Sequence, residues 1–224
     1  MTEKRIKIFA IQFDIPLAFE QVRHWRGAIA EHIGWDDERF HNHRGAKEAY
    51  HYRYPQVHYR AWKGLAGLWA FGEGIEALKD LLLQTSGTLE MGGKPYELRI
   101  KDFYVREHEL KMLEIPQQYF LKNWLALNED NFKKWLDTPE EAQKVLQLEH
   151  ILAANIIAFA KAIHWQIPIR LEVKILQILK QVPSKFKQTR LLLFDISFEA
   201  NILLPSGLGL GKSVSHGHGV LSCR

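Results

Sequence analysis

The stretch PSGLGLGKSVSHGHGVLS, from Pro205 to Ser222, decides how the last part of this chain folds. Five glycines lie within the thirteen positions from 207 to 219, and apolar residues alternate with the first three of them. Glycine adopts backbone conformations closed to other residues and lets a neighbouring chain approach closely. A run of backbone N–H groups without bulky side chains can bind phosphate, and Lys212 adds positive charge there. The pattern therefore favours a cradle for a phosphate backbone over the simpler alternative, a glycine-rich hairpin at the chain end.

The segment GLGLGKS is similar to the phosphate-binding loop of nucleotide-binding proteins but does not match it. That loop needs a glycine, four residues and then Gly-Lys-Ser or Gly-Lys-Thr, and here Ser206 stands where the first glycine should be. Such a loop also opens a helix within a parallel sheet, whereas only twelve residues follow Lys212. The dinucleotide pattern G-x-G-x-x-G fails as well, because Lys212 and Val214 occupy its two possible third-glycine positions. A polynucleotide backbone is therefore favoured over a single nucleotide.

Composition places the chain among globular proteins. With 224 residues, of which 46% are hydrophobic and 25% charged, it can form one large or two small domains. A net charge of +4 is mild and agrees with nucleic-acid binding. The single cysteine, Cys223, excludes an internal disulfide and favours a reducing compartment. The apolar run near the start is too short for a signal peptide or a membrane span, so we expect a cytoplasmic protein without a membrane partner.

The first half of the chain has the element order of a ferredoxin-like domain. The segment from Arg5 to Phe13 alternates polar and apolar residues as a half-buried strand does. A helix, two strands, a second helix and further strands are predicted at residues 17–33, 52–62, 65–71, 75–84 and 88–105. Strand, helix, strand, strand, helix, strand is the ferredoxin-like order, with both helices on one face of an antiparallel sheet. We assign residues 1–112 to this domain.

The second half, residues 113–224, reads as a less complete copy of the same fold. Strands are predicted at 119–127, 169–180, 189–204 and 219–223, with a short helix at 131–136. Thr138 as cap, Pro139 and two glutamates predict the start of a long helix that runs to about His164. The second helix of this copy is short or replaced by the glycine-rich stretch. The fold class is therefore α+β, with two tandem ferredoxin-like, or RRM-like, domains.

The glycine-rich stretch, with its embedded Lys-Ser and its closing GHGVL strand, resembles the CRISPR-associated endoribonucleases that cut repeat RNA. These belong to the repeat-associated mysterious protein superfamily. Three more blocks follow the order and spacing of one branch of that family: FHNHRG (40–45), YRYPQVHYR (52–60) and GLWAFGEGIEALKDLL (67–82). The resemblance implies RNA cleavage by attack of a ribose 2′-OH on the adjacent phosphate, which leaves a 2′,3′-cyclic phosphate and a 5′-OH.

The loop after the first helix is where the resemblance places the catalytic residues. Histidine suits both proton transfers because its pKa lies near neutrality. We favour His43 as the general base or acid, followed by His41, which shares its face in an extended segment. Lys47 or Arg44 would stabilise the phosphorane, and Tyr50 would orient the ribose or the histidine. The alternative interpretation is a solvated polar loop.

Other residues are predicted to bind the RNA. His216 and His218 would contact it or close the glycine-rich stretch onto the active site, with catalysis by one of them as an alternative. A zinc site is disfavoured because no cysteine lies near either His-x-His pair, so we expect no metal and no cofactor. Contacts to the RNA backbone, which position it without reading its sequence, are predicted for Arg53, Arg60, Gly207, Gly209, Gly211, Lys212, Ser213 and Ser215.

The sequence thus predicts a metal-independent endoribonuclease whose partner is CRISPR repeat RNA. One alternative is a subunit of a CRISPR interference complex that binds repeat RNA without cutting it, which would make other complex subunits partners as well. A second alternative is a ferredoxin-like interaction protein without an RNA role. RNA binding should weaken steeply with salt in the first two cases and not in the third. Both a monomer and a homodimer are compatible with the sequence.

Overall fold

The computed structural model describes residues 3–34, 40, 54–84, 87–186 and 189–223. The chain divides into two compact units. The first contains the described residues of Arg5–His108 together with Ser215–Gly217, and the second contains residues 3–4, the described residues of Glu109–Val214 and residues 218–223. Each unit is described by itself below.

The first unit follows the predicted element order. β1 (Glu3–Pro16) leads through a short 3-10 turn into α1 (Val22–Ile33), and two further strands and a helix follow: β2 (Val57–Trp62), β3 (Leu65–Phe71) and α2 (Glu73–Gln84). A small hairpin of β4 (Thr88–Met91) and β5 (Lys94–Glu97) precedes the start of β6 (Ile100–Trp124). Alternation along β1 places Phe9, Ile11, Phe13 and Ile15 in the core shared with both helices.

Strand pairing in the first unit gives the ferredoxin-like sheet. β1 and β2 both pair antiparallel with β3, with Ile8 opposite Phe71 and Val57 opposite Ala70. On its other side β1 neighbours β6, and the Asp14 N–H donates to the Arg99 carbonyl at 2.8 Å. The order β2-β3-β1-β6 confirms the predicted arrangement.

The core of the first unit lies between this sheet and its helices. Trp25 of α1 is fully buried, its ring meets that of Phe13 edge-on at 5.4 Å, and its Nε1–H donates to the Gly67 carbonyl at 3.2 Å. Ala77, Leu78 and Leu81 of α2 are fully buried in the same cluster. Burial of this apolar surface is the main stabilising contribution to the unit.

The second unit repeats the topology without a second long helix. After β6 come α3 (Glu129–Asp137), α4 (Glu141–Ala162), β7 (Val173–Phe186), β8 (Thr189–Ile202) and β9 (Val220–Cys223). The strand order is β7-β8-β6, and β9 pairs antiparallel with β6, with Leu121 opposite Leu221. Residues 203–219 lie in the chain where the first unit has α2. The structure thus confirms two tandem ferredoxin-like folds and the predicted replacement of a helix by the glycine-rich stretch.

Two local predictions were wrong. β6 is one strand of 25 residues, whereas the sequence predicted separate strands on either side of residue 113. Thr138 does not begin the long helix: its hydroxyl donates to the Lys134 carbonyl at 2.7 Å, and it ends α3. α4 begins instead after Glu140, whose backbone is extended and whose side chain makes no capping bond.

Among the described residues, α4 is the one helix that could cross a membrane by length and composition alone. This is weak evidence, because the core helix of a soluble protein meets the same criterion. α4 buries Leu148, Leu152, Ile156 and Phe159 within the second unit.

Candidate nucleic-acid interface

The backbone of the glycine-rich stretch is hydrogen-bonded within the second unit. The Gly207 and Leu210 N–H groups donate to the carbonyls of Leu221 and Gly219 at 2.7 and 2.8 Å. In return the Leu221 N–H donates to the Leu208 carbonyl at 2.8 Å. The stretch therefore runs beside β9 as an irregular strand, and several of its N–H groups are used by the protein itself.

The glycines of this stretch allow close packing. Leu208 and Leu210 are fully buried between them. At Gly211, with φ of +96°, an added Cβ would lie 2.6 Å from the Trp124 ring. At Gly219, with φ of +62°, it would collide with the Leu210 carbonyl oxygen. The alternation of leucine and glycine thus fills the core on one side and admits the backbone of neighbouring elements on the other.

The part of the stretch that reaches solvent is short. Lys212 is exposed, and its N–H donates to the Leu125 carbonyl at 3.1 Å, which ties the turn to the chain that follows β6. Ser213 follows at φ of +57°, a left-handed conformation rarely adopted by residues other than glycine. Gly209 is buried, whereas Gly207, Gly211, Ser213 and Ser215 are half-buried. Positive charge on this stretch is therefore concentrated at the turn Gly211-Lys212-Ser213.

His218 is half-buried and hydrogen-bonded to backbone. Its Nδ1 lies 3.3 Å from the Asn123 carbonyl oxygen, which also accepts the Gly219 N–H at 3.0 Å. A carbonyl can only accept, so Nδ1 carries the proton and Nε2 offers a lone pair. Burial lowers the pKa of His218, and the bond to Asn123 partly opposes this. The neutral ring can accept a proton or a hydrogen bond at Nε2 near neutral pH.

His216 ends a 3-10 turn, Val214–His216, and with Ser215 and Gly217 it belongs to the first unit. Its Nε2 lies 3.4 Å from Nη1 of Arg26 on α1. Because a guanidinium only donates, His216 accepts this bond through a lone pair. The next residue, Gly217, has φ of +80°, and an added Cβ there would lie 3.2 Å from the Tyr59 carbonyl oxygen. This close approach holds the turn against α1 and β2.

Family models match both halves of the chain. The model of the Cas6b N-terminal domain matches residues 4–109, and that of the Cas6b C-terminal domain matches residues 112–223. The chain belongs to the Cas6b family. This confirms the resemblance to CRISPR-associated repeat-RNA endoribonucleases that the glycine-rich stretch indicates.

The chain is also similar to two solved structures and to one curated protein. A crystal structure of Cas6b is 25% identical and superposes with a TM-score of 0.87, covering 99% of this chain and 100% of that one. A structure described as the CRISPR RNA processing endoribonuclease Cas6b shares the fold at 22% identity and a TM-score of 0.74, covering 99% and 100%. An uncharacterised protein of Methanocaldococcus jannaschii is 29% identical over 148 residues, which are 66% of this chain and 95% of that protein.

The loop with the predicted catalytic residues lies outside the described residues. This applies to His41, His43, Arg44, Lys47, Tyr50 and Arg53, whose roles remain predictions. Phe40, just before them, is described and buried, and its carbonyl accepts the Tyr59 hydroxyl at 3.3 Å. Phe40 is thereby attached to the core of the first unit.

Arg60, predicted to contact RNA, is buried in the first unit with 9% of its surface exposed. Its guanidinium lies 5.3 Å from the centre of the Trp69 ring, a cation–π contact. Burial lowers its pKa to about 10. Little of this side chain is available to a ligand, so its observed contacts are structural.

Sequence reasoning missed Arg26. On α1, which begins at Val22, Arg23 and Arg26 are three residues apart and therefore lie on one helix face. That spacing could have indicated a positively charged helix face, although many helix surfaces carry such pairs of charges. Only the folded chain shows that His216, 190 residues further on, reaches one of them.

Proposed function

We propose that the protein is an endoribonuclease that cuts CRISPR repeat transcripts into guide RNAs without a metal ion. The observation that carries the proposal is the match of both halves of the chain to the Cas6b domain models. The crystal structure of Cas6b that covers 99% of the chain supports it. Repeat RNA is the proposed partner.

The proposed reaction needs a base, an acid and a group that stabilises negative charge. The base removes the proton of a ribose 2′-OH, and that oxygen forms a bond to the adjacent phosphorus. The bond from phosphorus to the 5′-oxygen breaks, and the acid protonates the leaving oxygen. We assign the proton transfers to His43 with His41, and charge stabilisation to Lys47 or Arg44. Tyr50 would orient the ribose.

The described part of the glycine-rich stretch would hold the RNA backbone. Lys212 is exposed at a tight turn and supplies a positive charge. His218, whose Nδ1 is bonded to the Asn123 carbonyl, is the second residue of this part that we assign to RNA contact. These contacts position the RNA, and the chemistry would take place at the loop with His43.

The proposal is tested by a cleavage assay on repeat RNA in EDTA. A matched substrate carries a 2′-deoxy substitution at the scissile nucleotide. We expect cutting in EDTA that is lost with the 2′-deoxy substrate, because the nucleophile is then missing. Tight binding without cutting would instead make the protein a repeat-RNA-binding subunit of an interference complex. Cutting of both substrates would exclude attack by the 2′-OH.

The role of His43 is tested by His43→Ala, with His150→Ala on the exposed side of α4 as the matched control. We expect loss of cleavage by at least a hundredfold, the usual contribution of general acid–base catalysis being roughly 10²–10⁴. Affinity for the 2′-deoxy RNA should stay unchanged in both variants. Full cleavage by His43→Ala would move the assignment to His41.

A further inference from the structure

Two arginines lie three residues apart on α1, and the second of them, Arg26, meets the turn that contains His216. Arg23 is exposed and Arg26 is half-buried, one helical turn further along. Burial is the main reason that the pKa of Arg26 is lowered. Tyr59 raises this pKa, and the charge of Arg23 lowers it further. The two side chains therefore form a local concentration of positive charge within the first unit.

Arg26 has no carboxylate partner among the described residues. Its one hydrogen bond there is the 3.4 Å contact from Nη1 to the neutral Nε2 of His216. Its Nε is buried and has no hydrogen-bond partner in the described part of the chain. A guanidinium carries five N–H donors, so residues within the described ranges use only a small part of its bonding capacity.

Two other basic side chains of the first unit have carboxylate partners. Arg99 lies 2.8 Å from Glu97, and Lys79 lies 2.7 Å from Glu76, each at the surface. A half-buried cation beside a second cation is unfavourable unless an anion joins them. Arginine forks match the paired oxygens of phosphate better than any other side chain does.

We propose that Arg23 and Arg26, with His216 holding Arg26 in place, bind a phosphodiester oxyanion of the RNA. That the ligand is RNA rests on the proposed function. Arg26 and Arg23 supply the charge-assisted hydrogen bonds, and His216 is a positioning residue that acts through Arg26.

The glycine that follows His216 explains how the site is assembled. An added Cβ at Gly217 would lie 3.2 Å from the Tyr59 carbonyl oxygen and 3.3 Å from the Val22 side chain. Glycine suits this position, because φ is +80° and a side chain would require its neighbours to shift by a few tenths of an ångström. Arg26 lies one helical turn after Val22 on α1, and this packing brings His216 within hydrogen-bonding distance of it.

The test measures how RNA affinity depends on salt, with the 2′-deoxy repeat RNA that cannot be cut. Arg26→Met and Arg23→Met remove one charge each and keep an apolar stem of similar length. Lys79→Met on α2 is the control, because that charge is already paired with Glu76. Each phosphate contact contributes about 0.7 to the slope of log affinity against log salt for single-stranded RNA.

We expect both arginine variants to lower this slope by about 0.7 and to weaken binding at low salt roughly tenfold. His216→Ala should weaken binding and lower the slope by less than Arg26→Met does, because it keeps the charge of Arg26 but no longer fixes that charge against the phosphate. The control should match the unmodified protein. Slopes of both arginine variants equal to that of Lys79→Met would overturn the site. If Arg26→Met does not fold in a thermal melt, the exposed Arg23→Met decides alone.

Inorganic phosphate distinguishes RNA from a free anion. Stabilisation of the unmodified protein by phosphate, lost in Arg26→Met while the RNA slope stays unchanged, would assign the site to a free ion and overturn the proposal. Failure of the proposed function is separable, since a protein that binds with the expected slopes but never cuts RNA keeps this site. If the protein cuts RNA but the arginine variants keep the slope of the unmodified protein, only the arginine site is overturned. If the protein binds no RNA, both the site and the proposed function are overturned.

Discussion

The two units use different solutions at the same point of one topology. The first places α2 between its third strand and its last strand, and a helix pairs its own backbone groups internally. The second has residues 203–214, 218 and 219 there, and several of these pair with backbone groups of Asn123, Leu125 and β9. In the helix, side-chain packing therefore restricts mainly the residues on the buried face. In the glycine-rich stretch, residue choice is restricted wherever the backbone contacts a neighbouring segment.

The sharpest test of this difference is Gly219→Ala, matched with Gly92→Ala in the first unit. Both glycines have φ of +62°, but an added Cβ meets the Leu210 carbonyl at Gly219 and nothing within 4 Å at Gly92. The left-handed backbone alone costs about 1–2 kcal/mol. We expect about 1 kcal/mol at Gly92 and roughly 3–5 kcal/mol at Gly219, measured by chemical denaturation. Equal losses would show that the stretch is not held by close packing.

The next effect compares Leu210→Ala with Leu81→Ala in α2. Both side chains are fully buried, so each truncation should lower the free energy of unfolding by about 2–5 kcal/mol. Only Leu210→Ala should also slow RNA cleavage at temperatures where both variants are folded, because Leu210 anchors the turn that carries Lys212. If Leu81→Ala slowed cleavage as much, the stretch would have no special link to RNA.

A pH-dependent effect separates His58 of the first unit from His218 of the second. Burial lowers the pKa of His58 to about 3, Arg60 adds to this, and the bond to the Pro55 carbonyl opposes it. The unfolded chain takes up the proton below about 6.5, so stability falls as pH drops from there and levels off near 3.

At pH 5 the lowered pKa of His58 should reduce the free energy of unfolding by about 2 kcal/mol, since each pH unit below 6.5 contributes up to about 1.4 kcal/mol. We expect this reduction to be absent in His58→Phe. Denaturation at pH 7 and pH 5 measures the difference between variant and unmodified protein. His218, half-buried with its pKa lowered less, should give a smaller difference in His218→Ala. A larger pH effect in the second unit would contradict these assignments of burial.

The smallest effect concerns the entry to the glycine-rich stretch. The Tyr119 hydroxyl donates to the Ile202 carbonyl at 2.7 Å and accepts the Leu204 N–H at 3.0 Å, and burial is the main reason that its pKa is raised. Tyr119→Phe leaves both backbone groups unpaired, for which we expect about 1–2 kcal/mol. Tyr96→Phe in β5 is the control, and an equal change in thermal stability for both variants would exclude this role.

Some of this architecture followed directly from the sequence. β3 was predicted with its observed bounds, Leu65–Phe71, because Lys63-Gly64 and Gly72 limit an apolar run on both sides. The helix predicted to end at residue 33 does end there, and Gly34 follows it with φ of +100°. Thr138 was misassigned because the same residue types that begin helices also pair with the last carbonyls of a preceding one, and local sequence does not distinguish the two.

The candidate site was less predictable than the fold. The glycine-rich stretch was recognised from its composition, and its resemblance pointed to the family that the domain models confirm. The burial of Arg60 over Trp69 was not foreseen, since alternation shows that a residue faces one side of a sheet and not what covers that side.

By itself the sequence determined the order of strands and helices, the tandem repeat of one fold and the family, because period, turn residues and motif spacing are local properties. Only the tertiary structure decided which glycines are required by close contact, which N–H groups the protein uses itself, and that His216 meets Arg26. These depend on distances between residues far apart in the chain, and such distances are set by packing of the whole unit and not by neighbouring residues.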